Sequence, residues 1–438
     1  MAGADLTRLR ERMVSRLIAG SQPPSAMVAD ALRAVPRHVF LPELEPEAAY
    51  RDEAIVTKRD ADGQPTSSSS QPTIMAIMLD QLGLAPGHRV LEIGAGTGYN
   101  AALLSHIVGP EGTVVSIDLD EDVAEQARAH LAAAGCPEVT VVCGDGAAGY
   151  PARAPYDRVI ATVGVSDLAP PWLSQLAPGG RIVVPLDLRG AQRSVAFERA
   201  GACWQSRSAV PCGFMRMRGS LAGPERTQVS GDARELTVTL PDGRDVDITA
   251  VARALSGPAA ECVTGVVAGP AQLFDGLGLW LALNEPRWGV LTGTAGVATV
   301  AALARAPVRV QDRRATAGIF ARESFAVLAR PDDPGPGTGP GSGTAPGTAS
   351  GLGPGRPMPA RQARPPGFTL CVLGYGPAGA ELAAELAGLV GAWDAAGRPG
   401  TDGLGITACP KPSRPAQPTG RGAVISRPHT TFTVSAGR

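Results

Sequence analysis

The sequence predicts an α/β fold with a mostly parallel sheet, followed by a C-terminal α+β domain. Three observations carry that expectation. Apolar strand-like runs alternate with helix-like runs from residue 87 to about 185. The first run, Val90-Leu91-Glu92-Ile93, ends in Gly94-Ala95-Gly96-Thr97-Gly98, and a later run ends at the acid Asp118. Beyond residue 225, Leu236, Val238 and Leu240 alternate with polar residues, Pro241-Asp242-Gly243 makes a turn, and Val246 and Ile248 alternate again, a hairpin pattern.

Residues 1–80 read as helices plus an irregular loop. His88 to Ile93 is the first strand, Tyr99 to Val108 a helix, and Gly109 suits its end. Thr113 to Asp118 is the second strand. A helix follows, with Asp120 as N-cap and Val123, Ala127 and Leu131 on one face. Val139 to Cys143, Tyr156 to Ala161 and Arg181 to Pro185 complete the strands, with a short helix over Leu168 to Leu176. Strands this apolar suit a sheet covered on both faces. The expected units are a helical and substrate-loop segment (1–80), a cofactor-binding domain (81–222) and the C-terminal domain (225–438). Residues 331–366, almost entirely Pro, Gly, Ser, Thr and Ala, form an insertion expected to be disordered because it cannot bury enough apolar surface.

Composition narrows the function. The chain of 438 residues is long enough for two or three domains. With 40 basic and 41 acidic residues it has no general attraction for nucleic acid or anionic membranes. The N-terminus (Asp5, Arg8, Arg10, Glu11, Arg12) has no signal-peptide core, and the charge-free stretch Trp288 to Ala304 is too short to span a bilayer. A cytoplasmic protein is expected. Seven scattered cysteines without a C-x-x-C pair, and five unclustered histidines, argue against a disulfide framework or a metal site.

The glycine spacing identifies the cofactor. A dinucleotide fingerprint needs G-x-G-x-x-G, but here the pattern is G-x-G-x-G, with Tyr99 at the third dinucleotide glycine. S-Adenosylmethionine carries no pyrophosphate, so a helix N-terminus devoted to phosphate is unnecessary. Gly94, Gly96 and Gly98 would let the backbone approach its methionine part and ribose, and Asp118 would accept from the ribose hydroxyls. The plainer alternative is a tight strand-to-helix turn without a ligand. These features make the fold class that of a Rossmann-like S-adenosylmethionine methyltransferase. A second glycine pattern, Gly374-Tyr375-Gly376-Pro377-Ala378-Gly379, matches the dinucleotide spacing but lacks a second strand ending in an acid. It reads as a strand-turn-helix piece of the α+β domain.

From about Val35 to Gly219 the chain resembles the protein-L-isoaspartate O-methyltransferases. The resemblance rests on Val35-Pro36-Arg37-His38-Val39-Phe40-Leu41-Pro42, Ala49-Tyr50-Arg51-Asp52, Ser70-Gln71-Pro72, the glycine loop, Gly144-Asp145-Gly146 and Leu176-Ala177-Pro178-Gly179-Gly180-Arg181. It implies that Glu92, Gly94, Gly96 and Gly98 line the cofactor, that Asp118 holds the ribose, and that Asp145 and Gly146 contact the adenine. The Ser70-Gln71-Pro72 segment would lie over the transferable methyl, and Ser70, with Ser68 as second candidate, would fix the acceptor carboxylate. The alternative for these serines is a polar loop before a Pro-started helix.

A carboxylate with its ordinary pKa near 4 is ionised at neutral pH and attacks a sulfonium methyl without a general base. Alignment and exclusion of water then suffice. The substrate loop departs from the family. Repair enzymes run into Gln-Thr-Ile-Ser, whereas here Thr57-Lys58-Arg59-Asp60-Ala61-Asp62-Gly63-Gln64-Pro65-Thr66 leads into Ser67-Ser68-Ser69-Ser70. That departure and the long C-terminal region resemble the homologues that tailor ribosomally synthesised peptides, lanthipeptides and graspetides among them. The expectation is O-methylation of an aspartate in a precursor peptide, leading to an aspartimide. The alternatives are repair of isoaspartyl proteins and a non-catalytic peptide-binding module.

Overall fold

A strand buried on both faces sends alternate side chains into two different cores, and the central sheet does this along its length. The computed structural model describes residues 3–61, 63–230, 236–294, 301–310, 313–331, 367–413 and 422–435. The segment expected to be disordered, residues 331–366, lies outside the described residues except for its first position. Three helices open the chain: α1 (Gly3–Ile18), α2 (Ala26–Ala34) and the single turn α3 (Pro46–Ala49). A separate antiparallel hairpin, β1 (Ile55–Arg59) and β2 (Pro65–Ser69), leads into α4 (Pro72–Leu82). Pro72 suits the first helical turn, where its missing N–H costs nothing.

The alternating unit follows: β3 (Arg89–Ile93), α5 (Tyr99–Val108), β4 (Thr113–Asp118), α6 (Glu121–Ala133), β5 (Thr140–Cys143), β6 (Tyr156–Ala161), α7 (Pro170–Gln175) and β7 (Leu176–Leu188). Strands β3 to β7 are mutually parallel in the order β5-β4-β3-β6-β7. Strand order reverses at β3, so the crevice beyond its carboxyl end is where such sheets bind ligands. Val90, Val114, Ile160 and Val183 pack against α1, α2, α4, α5 and α6. Leu91, Ile93, Val115, Ile117, Val159 and Ile182 face the other way.

The antiparallel strands β8 (Ala191–Ala200) and β9 (Cys203–Pro211) extend this sheet. A second sheet, antiparallel throughout, is built from β10 (Arg226–Ser230), β11 (Leu236–Leu240), β12 (Ala260–Ala268), β13 (Trp288–Thr294), β14 (Val308–Val310), β15 (Arg313–Phe320), β16 (Phe325–Ala329) and β17 (Phe368–Tyr375). Helix α8 (Ile248–Leu255) follows β11. After β12, α9 (Pro270–Gln272) runs through a π-helical turn (Leu273–Leu277) into α10 (Gly278–Asn284); the single turn α11 (Ala301–Ala304) and the long α12 (Gly379–Ala395) complete the helices. Leu273, Leu277, Leu281, Leu386 and Trp393 from this region belong to the same core as Leu91 and Ile117. The N-terminal helices therefore cover one face of the parallel sheet and the C-terminal region packs on the other.

Three expectations need correction. Residues 225–438 do not form a unit of their own: β18 (Gly405–Pro410), β19 (Gly422–Ser426) and β20 (Thr430–Ser435) join the catalytic sheet, where β18 pairs with β9. The free edge of β9 offers unpaired backbone groups, and no local pattern says which edge a later strand will choose. Beside that pairing, Cys203 and Cys409 form a disulfide, which scattered cysteines 206 positions apart did not suggest. The expected hairpin around Pro241-Asp242-Gly243 is absent. Strand β11 pairs back onto β10, and Asp247 accepts from the Ala250 N–H (2.9 Å), so Ile248 starts a helix. The second glycine pattern does fall on a strand-turn-helix, β17 to α12. Strand β17 is antiparallel to both neighbours, and its glycines serve close packing, since a side chain on Gly374 would collide with the Gly379 carbonyl.

Candidate active site

A cavity of about 630 Å³ opens at the carboxyl ends of β3 and β4, within the range of small-molecule sites. Gly94, Gly96 and Gly98 all adopt positive φ (100°, 53° and 87°), where other residues are strained. The serine strand crosses directly over this loop. A Cβ on Gly96 would stand 3.3 Å from the Ser68 carbonyl oxygen. The Gly96 N–H donates to Asp118 Oδ2 (2.9 Å), and the Asp120 N–H reaches Oδ1 (3.3 Å). Asp118 is in the cavity wall, its pKa raised chiefly by burial. Beside it, Leu119 keeps 37% of its surface exposed, which leaves an apolar face next to a carboxylate.

Two expected cofactor residues sit elsewhere. Glu92 is fully buried below the loop, outside the cavity wall, accepting from Asn100 Nδ2 (2.7 Å) and Ser116 Oγ (2.5 Å). Burial pushes its carboxyl up to about 7, against those two bonds. It braces β3, β4 and α5. The side chain points away because Glu92 precedes Ile93 by one position on an alternating strand. Asp145 is likewise outside the wall. Its carboxylate accepts from the backbone of Ala147 (3.0 Å) and Ser220 (2.8 Å). Burial opposes ionisation there, yet those bonds hold the carboxyl below its ordinary value. Gly146 does line the cavity. Asp120 does not cap α6 with its side chain, as expected of it. The carboxylate instead accepts from Lys58 Nζ (2.8 Å) and from Arg218 (3.1 and 3.0 Å). The bonds to Arg218 lead in lowering its pKa. Lys58 also reaches Asp122 (2.6 Å), so the β1–β2 hairpin is tied to the rim beside Asp118.

Ser68 and Ser70 are both in the cavity wall, with Ser67, Ser69 and Gln71. Strand alternation buries Ser67 and Ser69 and leaves Ser68 and Ser70 half-buried. The residues that hold this run were visible in the sequence only as family motifs. Arg37 is fully buried and donates to the carbonyls of Ala49 (Nε, 2.9 Å) and Ser70 (Nη2, 2.9 Å). Asp52 accepts from the backbone and hydroxyl of Thr73 (2.9 and 2.6 Å) and from Gln71 Nε2 (3.1 Å), satisfying the start of α4. A buried arginine between apolar motif residues, and an acid upstream of a Pro-started helix, were the available signals.

The segment 211–218 closes another side. Gln192 clamps it, donating to the Phe214 carbonyl (3.0 Å) and accepting from its N–H (2.7 Å). Cys212 lies in the wall, but burial pushes its thiol up to about 12, so it is no nucleophile at neutral pH. Phe274, from the π-helical turn, is also in the wall. The Asp118 carboxylate in the cavity wall, the closely approached glycine loop and the apolar face of Leu119 fit an adenosyl cofactor with room left for an acceptor.

Residues 8–220 match the family model described as protein-L-isoaspartate(D-aspartate) O-methyltransferase (PCMT). A protein-L-isoaspartate O-methyltransferase from Methanopyrus kandleri is 42% identical over 193 residues, covering 44% of this chain and 83% of the relative. One from Hyperthermus butylicus is 37% identical over 219 residues, covering 48% and 88%. One from Thermotoga maritima is 41% identical over 170 residues, 39% of this chain, which spans only 53% of that relative's length. A solved protein-L-isoaspartate O-methyltransferase structure aligns at a TM-score of 0.47 and 23% identity, covering 91% of this chain and 96% of that one. Among the described residues no helix is long and apolar enough to cross a membrane. The chain belongs to the protein-L-isoaspartate O-methyltransferase family of S-adenosylmethionine-dependent protein carboxyl methyltransferases.

Proposed function

We propose that the chain O-methylates the free carboxylate of L-isoaspartyl residues in polypeptides, the first step of their repair. One observation carries this reading: the glycine loop with Asp118 and the serine run share a single cavity, Ser68 lying directly over Gly96. The names of the relatives support the acceptor. S-Adenosylmethionine supplies an electrophilic sulfonium methyl when bound. Asp118 would hold the ribose hydroxyls, the backbone from Gly94 to Gly96 the methionine part, and Gly146 the adenine side. The acceptor carboxylate needs no base, since it is already ionised. Ser70, with Ser68, would donate hydroxyl bonds that orient it, and Arg37 acts through Ser70 as a positioning residue. The hairpin, held by Lys58 to Asp120 and Asp122, would exclude water while the ester forms.

A second reading is methylation of an ordinary aspartate in a precursor peptide, leading to an aspartimide. The rebuilt, charged hairpin and the residues beyond 220, which lie outside the family match, support it. One experiment separates the two. The full chain is given methyl-labelled cofactor with matched isoaspartyl and aspartyl peptides. Base-labile label on the isoaspartyl peptide, released as methanol, supports the first reading. Label only on the aspartyl peptide replaces it with the second. Label stable to base, on nitrogen, overturns both.

A further inference from the structure

We propose that Phe274 is a specificity-determining contact for the acceptor polypeptide, selecting an apolar side chain next to the methylated acid. The inference rests on the carboxyl methyl transfer proposed above. Phe274 is 57% exposed, yet it belongs to the wall of the catalytic cavity. Single exposed apolar residues are common and need no reason, so the place and the support have to carry the argument.

The place is an exposed part of the wall of the same cavity that holds the glycine loop and Asp118. Val56 on β1, Ile74 on α4, and Phe214 and Met215 share that cavity with Phe274. The cavity therefore offers apolar surface beyond its cofactor residues.

The support is unusually firm for an exposed residue. Phe274 stands on the π-helical turn Leu273–Leu277, an irregularity often found at functional positions. Its neighbours Leu273 and Leu277 are buried. The next carbonyl, that of Asp275, accepts from the buried Arg193 of β8 (Nη2, 2.7 Å), and the Asp275 carboxylate accepts from the Thr401 N–H (3.0 Å). Gly276 lies against the Trp393 ring, where a Cβ would come within 2.8 Å. The backbone is thus held by the catalytic sheet, by the 401 loop and by α12, while the ring is left in water. A rigid aromatic side chain at a site's edge binds a partner at little entropic cost. Phe274 also lies beyond residues 8–220, so the selectivity it confers belongs to this chain's added region.

The test uses the full chain and two peptides bearing the acidic residue the wild type methylates, flanked by leucine in one and glycine in the other. The wild type should prefer the leucine peptide in kcat/KM. Phe274→Ala should raise KM for that peptide about tenfold, the size of an interface contact whose truncation matters though short of a hot spot. It should affect the glycine peptide far less and leave cofactor affinity and Tm unchanged, and Phe274→Leu should restore most of the preference. A leucine preference that survives in Phe274→Ala, or an equal loss on both peptides, overturns the role of Phe274. A wild type that methylates no peptide carboxylate overturns the function itself.

Discussion

Glu92 carries an acid–base consequence near neutral pH without touching the cavity. Its carboxyl is raised from 4.5 to about 7 by burial. Because the folded-state value lies above the unfolded one, its stabilising contribution is complete below pH 4.5 and is lost as pH rises through about 7. Glu92→Gln keeps partners for Asn100 and Ser116 without a charge to bury. Thermal melts from pH 5 to 8 should therefore show a flatter profile for this variant, with its advantage greatest at the alkaline end. Gly96→Val should abolish cofactor binding in calorimetry, since a side chain there meets the Ser68 carbonyl at a φ of 53°. Ser70→Ala should leave that binding intact and lower kcat. Arg37→Met would leave the Ala49 and Ser70 carbonyls unpaired, and chemical denaturation should show a loss of about 2–4 kcal/mol, the size of unsatisfied buried polar groups. At this scale spacing alone pointed to Gly94, Gly96 and Asp118, which the fold brings to one cavity wall. The orientation of Glu92 and the backbone duties of Asp145 could not be read that way, because a linear chain does not say which carboxylates already have partners.

Among the elements, the β1–β2 hairpin is the part most open to control. Its grip on the site rim runs through Asp120, shared between Lys58 and Arg218. Partly exposed pairs of this kind contribute about 0.2–1 kcal/mol each and are weakened by salt. Asp120→Asn should raise KM for the acceptor a few-fold, and raised ionic strength should produce a similar shift in the wild type but a smaller one in the variant, where only the Lys58–Asp122 pair remains. Steady-state kinetics at two salt concentrations decides it. Strands β4 and β6 and helix α5 were predictable to the residue because their apolar runs are bounded by glycine, acid or turn signals. The failure around residue 247 has an equally local cause: one aspartate turned an apparent strand into a helix by capping it.

For the whole molecule, the C-terminal region completes the catalytic sheet in two ways: it covers one face through residues such as Leu277, Leu386 and Trp393, and it continues the β9 edge with β18. A chain ending at residue 222 should therefore expose an apolar face and an open edge. It should aggregate on expression, where the full chain stays monodisperse by light scattering. Had 225–438 been a free-standing domain, as its composition suggested, the fragment would fold alone.

Hydrophobic periodicity, glycine spacing and one well-placed acid were enough to establish a parallel α/β sheet and the cofactor class, because each depends on residues close together in the chain; the serines came only from the family resemblance. Which edge β18 extends, which face α12 covers, the pairing of Cys203 with Cys409 and the arrival of Phe274 at the cavity wall came from folding. Those contacts join residues far apart in the chain, and their energy is that of shared burial, which no local pattern encodes.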